Sequence, residues 1–117
     1  MNSGKTSVLI IDDEEDLCYL LSGLLSSQGF EVHTSFSLKS GLELLDRQQC
    51  DWIILDNDLP DGKGWENLPI LQQLSPQSSF IMISANPDST HDQMYRNVYY
   101  LIKPIHVNSI TSLIRPL

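Results

Sequence analysis

The stretch SVLIIDD, residues 7–13, is a short apolar run rich in β-branched side chains, and it ends in two aspartates. This composition and length predict a buried β-strand. A second apolar run, WIIL at residues 52–55, also ends in an acid, Asp56, and a third run at residues 99–102 is followed by Lys103. Carboxylates at the ends of neighbouring strands concentrate negative charge at one edge of a sheet. Such a site favours a divalent cation and, with a lysine nearby, a phosphoryl group.

The composition limits the class of protein. The chain of 117 residues is within the range of one domain, and its 41% apolar and 19% charged residues are typical of a globular protein. The formal net charge of -8 disfavours binding to a nucleic-acid backbone. No apolar run approaches the roughly 18 residues of a membrane-spanning helix, so we expect no membrane contact. Cys18 and Cys50 fall in apolar segments and predict buried free thiols in a cytoplasmic protein.

Helical periodicity is strongest in the first third of the chain. Leucines at three- and four-residue spacing predict an amphipathic helix: Leu17, Leu20, Leu21, Leu24 and Leu25. Gly29 is placed to end that helix, and residues 30–34 then alternate as a second strand. Ser37 can cap a second helix, whose apolar face is Leu38, Leu42 and Leu45.

The second half of the chain continues this alternation. Residues 57–64 hold two glycines and a proline and predict a loop. We expect the third helix to begin near Leu68, because Pro69 would break a helix interior, and to end before Pro76. The remaining predicted elements are a strand at 80–83, a short helix at 88–96, a strand at 99–102 and a last helix marked by Val107, Ile110 and Ile114.

Strands that alternate with helices predict an α/β fold, a parallel sheet with helices on both faces. In such sheets ligands bind beyond the carboxyl ends of the strands. Five polar residues follow or end predicted strands and are expected at that edge: Asp12, Asp13, Asp56, Ser84 and Lys103.

Each of these residues also has a purely structural interpretation. Acids at a helix N-terminus complement the macrodipole, which accounts for residues 14–16 well and for Asp12 and Asp13 less well. Asp56 is either a polar strand end or a nucleophile that can form an acyl phosphate. Ser84 either caps a turn or donates to a phosphoryl oxygen, and Lys103 is either a surface lysine or a point charge for phosphate.

Together these segments resemble the response regulator receiver domains. Five pieces carry the resemblance, in the family's order: VLIIDDE at 8–14, IILD at 53–56, LPDG at 59–62, IMISA at 81–85 and YLIKP at 100–104. The match implies a receiver domain over residues 6–115, preceded by a short tail of residues 1–5. It also implies the flavodoxin-like, doubly wound fold, with five parallel strands in the order 2-1-3-4-5.

The resemblance implies a role for each site residue. Asp56 would accept a phosphoryl group from a phosphohistidine on a sensor histidine kinase or a histidine phosphotransfer protein. Asp13 would bind Mg²⁺ or Mn²⁺ directly and Asp12 through water, with Asp56 and the backbone carbonyl of Asp58 as the other ligands. Lys103 would hold the phosphoryl oxygens.

Other residues would read out or tune the phosphorylated state. Ser84 would also bind the phosphoryl group, and Tyr100 would swing inward as Ser84 moves. Asp58 and Asn86 would adjust the phosphoryl lifetime because they flank the path of attacking water. The Lys103-Pro104 bond is often cis in the family. The resemblance therefore implies a phosphoacceptor signalling domain, with only slow autodephosphorylation, that acts on a downstream effector domain or protein.

Two other functions fit parts of the sequence. Asp56, Asn57 and Asp58 have the D-x-D spacing of aspartate-nucleophile phosphatases, in which the second aspartate is the general acid. In that class the nucleophile should follow the first strand, and this chain leaves little room for a substrate cap. A degenerate receiver that only binds proteins is the other alternative, and the complete set of five site residues argues against it.

Overall fold

The structure, a computed structural model, describes residues 4–86 and 97–114. The helix predicted at residues 88–96 lies outside the described residues. The strands are β1 Ser7–Ile11, β2 Glu31–Ser35, β3 Trp52–Asp56, β4 Asp58–Leu59, β5 Gly62–Lys63, β6 Ser79–Ser84 and β7 Val98–Ile102. The helices are α1 Glu15–Ser27, α2 Leu38–Arg47, α3 Gly64–Leu74 and α4 Val107–Leu113.

The five long strands form one parallel sheet in the order β2-β1-β3-β6-β7. This is the predicted order 2-1-3-4-5, which is confirmed once the two-residue strands β4 and β5 are set aside as a separate antiparallel pair. Strand β3 is central, and Asp56 at its end is paired in register with Ile83 of β6. The neighbouring strand β1 ends at Ile11, so Asp12 and Asp56 emerge side by side from adjacent strands.

The sheet buries side chains on both faces because helices cover both. Ile53 and Leu55 of β3 belong to a core cluster shared with α2 and α3, whereas Ile54 belongs to one shared with α1 and α4. All three are fully buried. Strands buried on both sides are continuous apolar runs, which explains why β1 and β3 lack polar alternation.

The ends of α1 and α2 follow the predicted signals. Gly29 adopts a positive φ of 96° and donates its N–H to Ser26 O, while Phe30 N donates to Leu25 O at 3.1 Å. This left-handed glycine ends α1 as expected. At the start of α2, the Ser37 hydroxyl accepts a hydrogen bond from Ser40 N at 3.2 Å. The two predicted helix boundaries are confirmed.

The predicted start of the third helix is wrong. Helix α3 begins at Gly64, and the exposed Pro69 lies inside it. The start is fixed from outside the helix, because Asn57 accepts from Gly64 N through its backbone oxygen at 2.9 Å and from Trp65 N through Oδ1 at 2.8 Å. Pro69 costs the helix one backbone hydrogen bond, to the carbonyl of Trp65. The predicted loop at 57–64 therefore contains β4, β5 and the first residue of α3.

The two cysteines are buried and free, as predicted. Burial raises the pKa of Cys18 to about 12 and that of Cys50 to about 11, so both thiols stay neutral. Within the described ranges, no helix has the length and apolar character that would let it span a bilayer.

Candidate functional site at the carboxyl edge of the sheet

Three aspartates meet where β1 and β3 end. Oxygen atoms of Asp12, Asp13 and Asp56 all lie within 4.8 Å of one another. The main chain holds Asp12 in place because its N–H donates to Ser35 O of the adjacent strand at 3.0 Å. Asp12 and Asp56 are buried, at 1% and 2% exposure, whereas Asp13 faces solvent. The sequence prediction that these acids share one edge agrees with this geometry.

The two buried carboxylates are incompletely satisfied. Asp12 Oδ1 accepts from Glu14 N at 2.9 Å, and Asp56 Oδ1 accepts from Asp58 N at 3.1 Å. In the part of the chain that the structure describes, Asp12 Oδ2 is buried without a hydrogen bond. Burial raises the pKa of Asp12 to about 6, and the charge of Asp56 adds to this rise. Burial likewise raises the pKa of Asp56.

This donor set fits a small divalent cation. All three side chains offer hard carboxylate oxygens, and one buried oxygen, Asp12 Oδ2, has no competing hydrogen bond from the described residues. Buried carboxylates whose pKa is raised by burial and by neighbouring acids gain from a cation, which neutralises their charge. A site with few protein ligands and one solvent-facing side is typical of magnesium, which keeps several of its waters.

Lys103 brings a positive charge to the same edge. Its peptide bond to Pro104 is cis, as predicted, and its backbone N–H donates to Ser84 O at 2.8 Å. Nζ lies 3.5 Å from Asp56 Oδ2 and 3.6 Å from Asp12 Oδ2, and it donates a hydrogen bond to Glu14 Oε2. Burial alone would lower the pKa of Lys103. The Glu14 hydrogen bond and the charges of Asp12 and Asp56 outweigh burial and hold that pKa above its usual value.

Ser84 and Asp58 contact each other next to this cluster. Ser84 is the last residue of β6 and is 5% exposed, and its hydroxyl donates to Asp58 Oδ2 at 3.3 Å while accepting from Asn86 N at 3.1 Å. The other oxygen of Asp58 accepts from Lys63 Nζ at 2.8 Å across the β4–β5 pair. The Lys63 hydrogen bond is the main cause that lowers the pKa of Asp58.

Tyr100 lies below the edge rather than in the carboxylate cluster. It pairs in register with Met82, two residues before the end of β6. Its ring packs against Trp65 of α3, with ring centroids 6.1 Å apart and planes tilted by 47°. The half-buried tyrosine therefore lies on the face of the sheet that α2 and α3 cover. The exposed Asn86 lies just beyond β6.

Three residues of the site were missed from the sequence. Glu14, read only as an acid at a helix start, contacts Lys103, which is 89 residues away. Lys63 lay in the predicted loop and pairs with Asp58. Asn57 is 7% exposed and joins β3 to β6 and α3, since its N–H also donates to Ile83 O at 2.8 Å. An asparagine placed directly after a strand was the available signal for Asn57.

The sequence of this domain is similar to that of a known protein family. The family model of the response regulator receiver domain matches residues 8–115. The response regulator PilR of Pseudomonas aeruginosa is 29% identical over 113 residues, which are 94% of this chain and 25% of PilR. ArlR of Staphylococcus aureus is 30% identical over 114 residues, 94% of this chain and 51% of ArlR. The chain thus spans a quarter to a half of the length of these relatives.

Solved structures share the fold. A CheY-like receiver domain from Methanospirillum hungatei superposes with a TM-score of 0.81 at 22% identity, covering 90% of this chain and 86% of that one. The response regulator TrrA of Thermotoga maritima, solved in complex with Mg²⁺ and BeF, gives a TM-score of 0.78 at 21% identity, covering 90% and 92%.

The chain folds as a doubly wound α/β domain with a cluster of three acids at the carboxyl ends of its strands. With the family model matched over residues 8–115, the chain belongs to the response regulator receiver domains, the signalling domains of two-component systems.

Proposed function

We propose that Asp56 accepts a phosphoryl group from the phosphohistidine of a sensor histidine kinase or a histidine phosphotransfer protein, and that the modification switches a signalling surface. One observation carries this proposal. A buried carboxylate, Asp56, lies in a cluster with Asp12 and Asp13 and 3.5 Å from the Lys103 ammonium. In the proposal, Asp56 is the nucleophile, the three aspartates hold the cation, and Lys103 supplies the positive charge that binds the phosphoryl group.

The transfer is a displacement at phosphorus. An oxygen of Asp56 forms the new O–P bond while the P–N bond of the phosphohistidine breaks, and the imidazole nitrogen keeps that electron pair. Oδ1 of Asp56 is held by the Asp58 N–H, so Oδ2, which faces Lys103, is the better placed nucleophile. Such a reaction depends on positioning and charge stabilisation more than on acid–base chemistry. Lys103 supplies part of that charge.

The cation ligands in this proposal are Asp13, Asp56 and the backbone carbonyl of Asp58, with Asp12 acting through water. A bound Mg²⁺, or Mn²⁺ in its place, neutralises the negative charge that the phosphoryl group adds to an already acidic site. Asp12 Oδ2 has no hydrogen bond from the described residues, so this oxygen is available to the cation site.

Ser84 and Tyr100 carry the response in this proposal. The Ser84 hydroxyl, which donates to Asp58 in this structure, turns to donate to a phosphoryl oxygen. Tyr100, which packs against Trp65, follows Ser84 inward. A new group with strong acceptor oxygens can bias a two-state surface in this way. Asp58 and Asn86, which both contact Ser84, tune the lifetime of the aspartyl phosphate during slow autodephosphorylation.

We assign residues 6–115 to the receiver domain and residues 1–5 to a short tail, and we place the protein in the cytoplasm, where kinase domains and their receivers meet. The effector is a further domain or a separate protein. The relatives PilR and ArlR support an effector that is a further domain, because this chain covers only part of the length of each.

The aspartate-nucleophile phosphatase fits the geometry less well. Its general acid would be Asp58, which must carry a proton to protonate a leaving group. The Lys63 hydrogen bond lowers the pKa of Asp58, and Ser84 donates to its other oxygen. Asp58 is therefore an ionised acceptor that cannot protonate a leaving group near neutral pH.

Acetyl phosphate and magnesium chloride test the proposal. Intact-mass measurement should show a gain of one phosphoryl group in the wild type, no gain in Asp56→Asn, and an unchanged gain in the control Asp46→Asn, an exposed acid of α2. p-Nitrophenyl phosphate should not be turned over. No gain in the wild type, or an equal gain in Asp56→Asn, would refute the phosphoacceptor role.

A further inference from the structure

The Lys103 ammonium lies nearer to an exposed acid than to the two buried ones. It donates a hydrogen bond to Glu14 Oε2, while Asp56 Oδ2 and Asp12 Oδ2 lie 3.5 and 3.6 Å away. Those two distances exceed the usual length of an N–H···O hydrogen bond. The exposed carboxylate therefore holds the ammonium, although the buried carboxylates attract it more strongly through a medium of lower dielectric constant.

The fold fixes both members of this pair. Glu14 N donates to Asp12 Oδ1 at 2.9 Å, which sets where the Glu14 side chain leaves the backbone. Lys103 N donates to Ser84 O at 2.8 Å, which does the same for the lysine. Glu14, Lys103 and Leu17 also line an open cleft whose lining does not include Asp12 or Asp56.

Without Glu14, the ammonium would gain most by moving onto Asp12 and Asp56. Asp12 Oδ2 has no hydrogen bond from the described residues, and an ammonium has three donors. The same two carboxylates belong to the proposed cation site, and an ammonium seated on them would both block the oxygens and repel a divalent ion. The position of Lys103 thus decides whether the carboxylates remain open.

We infer that Glu14 is a positioning residue that keeps the Lys103 ammonium at ion-pair distance from Asp12 and Asp56 and prevents it from hydrogen-bonding to them, so that the carboxylate oxygens stay available to a divalent cation. This inference rests on the cation site of the proposed function. It gives Glu14 a role that its place before α1 does not suggest, since an acid there is explained by the helix dipole alone.

Magnesium binding to the full chain, measured by calorimetry with magnesium chloride, tests the inference. Glu14→Gln should raise the Kd roughly five-fold or more, since it both removes a charge and releases Lys103. The matched control is Glu15→Gln, an exposed acid one residue further on that loses the same charge, and it should raise the Kd less than about two-fold. With Lys103→Met in the background, the two variants should bind magnesium equally well.

Two results would overturn the inference. One is an equal effect of Glu14→Gln and Glu15→Gln in the wild-type background. The other is a difference that survives Lys103→Met, because Glu14 would then act as a ligand or by its charge alone. Unfolding midpoints of all variants show whether each one folds.

A metal-free measurement separates this inference from the proposed function. At constant pH, the ¹⁵Nζ resonance of Lys103 should shift in Glu14→Gln and stay in place in Glu15→Gln. An unmoved resonance in Glu14→Gln overturns the role of Glu14. A wild type that binds no magnesium counts instead against the cation site of the proposed function, and the Lys103 resonance still decides what Glu14 does.

Discussion

Buried polar groups at the two ends of the parallel sheet differ in how fully they are hydrogen-bonded. At the amino end, the buried Ser75 and Ser78, at 2% and 3% exposure, lie just before β6. Ser78 Oγ donates to the backbone oxygen of Cys50, and the two serine hydroxyls are hydrogen-bonded to each other. Nearby, Asp51 Oδ2 accepts from both N and Oγ of Ser7. The buried serine hydroxyls are thus fully hydrogen-bonded, and the exposed Asp51 and the partly buried Ser7 are also paired.

At the carboxyl end the same degree of burial is combined with like charges. Asp12 and Asp56 are as buried as the serines, yet burial raises the pKa of both, and Asp12 Oδ2 has no hydrogen bond from the described residues. Buried polar groups that are fully hydrogen-bonded specify the fold, whereas a buried acid with an oxygen that lacks a hydrogen bond, and only an ion pair to Lys103 at 3.6 Å, costs stability. The two ends therefore differ: hydrogen bonds satisfy the buried serines at one end, whereas buried acids cluster at the other, where the proposed cation site lies.

The largest effect is expected from Asp12→Asn. The folded pKa of Asp12, about 6, lies above the unfolded value of 3.8, so the folded state binds the proton more tightly. The metal-free wild type should therefore lose stability as pH rises from about 4 to about 6, by up to about 3 kcal/mol from this residue. Urea unfolding without magnesium should show that Asp12→Asn removes much of this loss and is more stable than wild type at pH 7.

Magnesium provides the control for that experiment. Saturating magnesium should stabilise the wild type at pH 7, because the ion binds only the folded state, and it should stabilise Asp12→Asn much less. If the variant and the wild type have the same free energy of unfolding at pH 7 in metal-free buffer, Asp12 does not destabilise the fold. The two ends of the sheet would then not differ in the way described.

The next largest effect should come from two glycines. A Cβ on Gly64 would lie 2.8 Å from the backbone oxygen of Asp56 and 3.1 Å from Asn57 Cα, so Gly64→Ala must displace the end of β3. It should cost about 2 kcal/mol in the free energy of unfolding. Gly23→Ala on α1 meets nothing within 4 Å and should gain about 0.5–1 kcal/mol. Equal unfolding midpoints for the two variants would contradict this close packing behind Asp56.

At the amino end, Ser78→Ala removes the hydroxyl that bonds to Cys50 O and to Ser75. Because those two partners are buried and would lose their hydrogen bond, we expect a loss of about 1–2 kcal/mol in the free energy of unfolding. The loss should be independent of pH between 4 and 7 and of magnesium. Dependence on magnesium would mean that the two ends of the sheet are coupled.

The smallest effect is expected at Asp61, which lies in the segment between β3 and α3 and caps the start of α2. Asp61 Oδ1 accepts from Leu38 N and Oδ2 from Lys39 N, both at 2.9 Å, and these bonds lower the pKa of Asp61. Asp61→Ala should cost about 1 kcal/mol, as for other caps. A carboxyl with a lowered pKa stabilises the fold above its unfolded value of 3.8, so the difference from wild type should disappear in acid, below about pH 4. A difference in stability that persists at this acidic pH would show that the ionised carboxylate of Asp61 is not what stabilises the fold.

Much of this molecule could be predicted from local sequence patterns. The apolar runs at β1 and β3 predicted those strands, and the leucine spacing predicted α1. The aspartates at the strand ends predicted the edge of the sheet at which the acids meet. These features are local or follow from the geometry of parallel sheets, in which the carboxyl ends share one edge. The strand order came from family resemblance rather than from periodicity.

The errors arise where distant groups decide local structure. Pro69 predicts a late helix start, but Asn57 supplies two acceptors that begin α3 five residues before the proline. The Glu14–Lys103 contact depends on the conformation of two loops that are far apart in sequence. Hydrogen bonds of this kind leave no periodic signal, and only the folded chain shows them.

The hydrogen bonds of Asn57 also restrain the backbone next to Asp56. Its N–H is bonded to Ile83 O of β6, and its backbone oxygen and side chain to Gly64 N and Trp65 N of α3, so three hydrogen bonds to two elements hold the residue next to Asp56. The main chain around Asp56 is thus preorganised, and a change of charge there needs little backbone reorganisation. In the proposed function, adjustment to the new charge would therefore fall on side chains such as Lys103 and Ser84, whose present acceptors are Glu14 and Asp58.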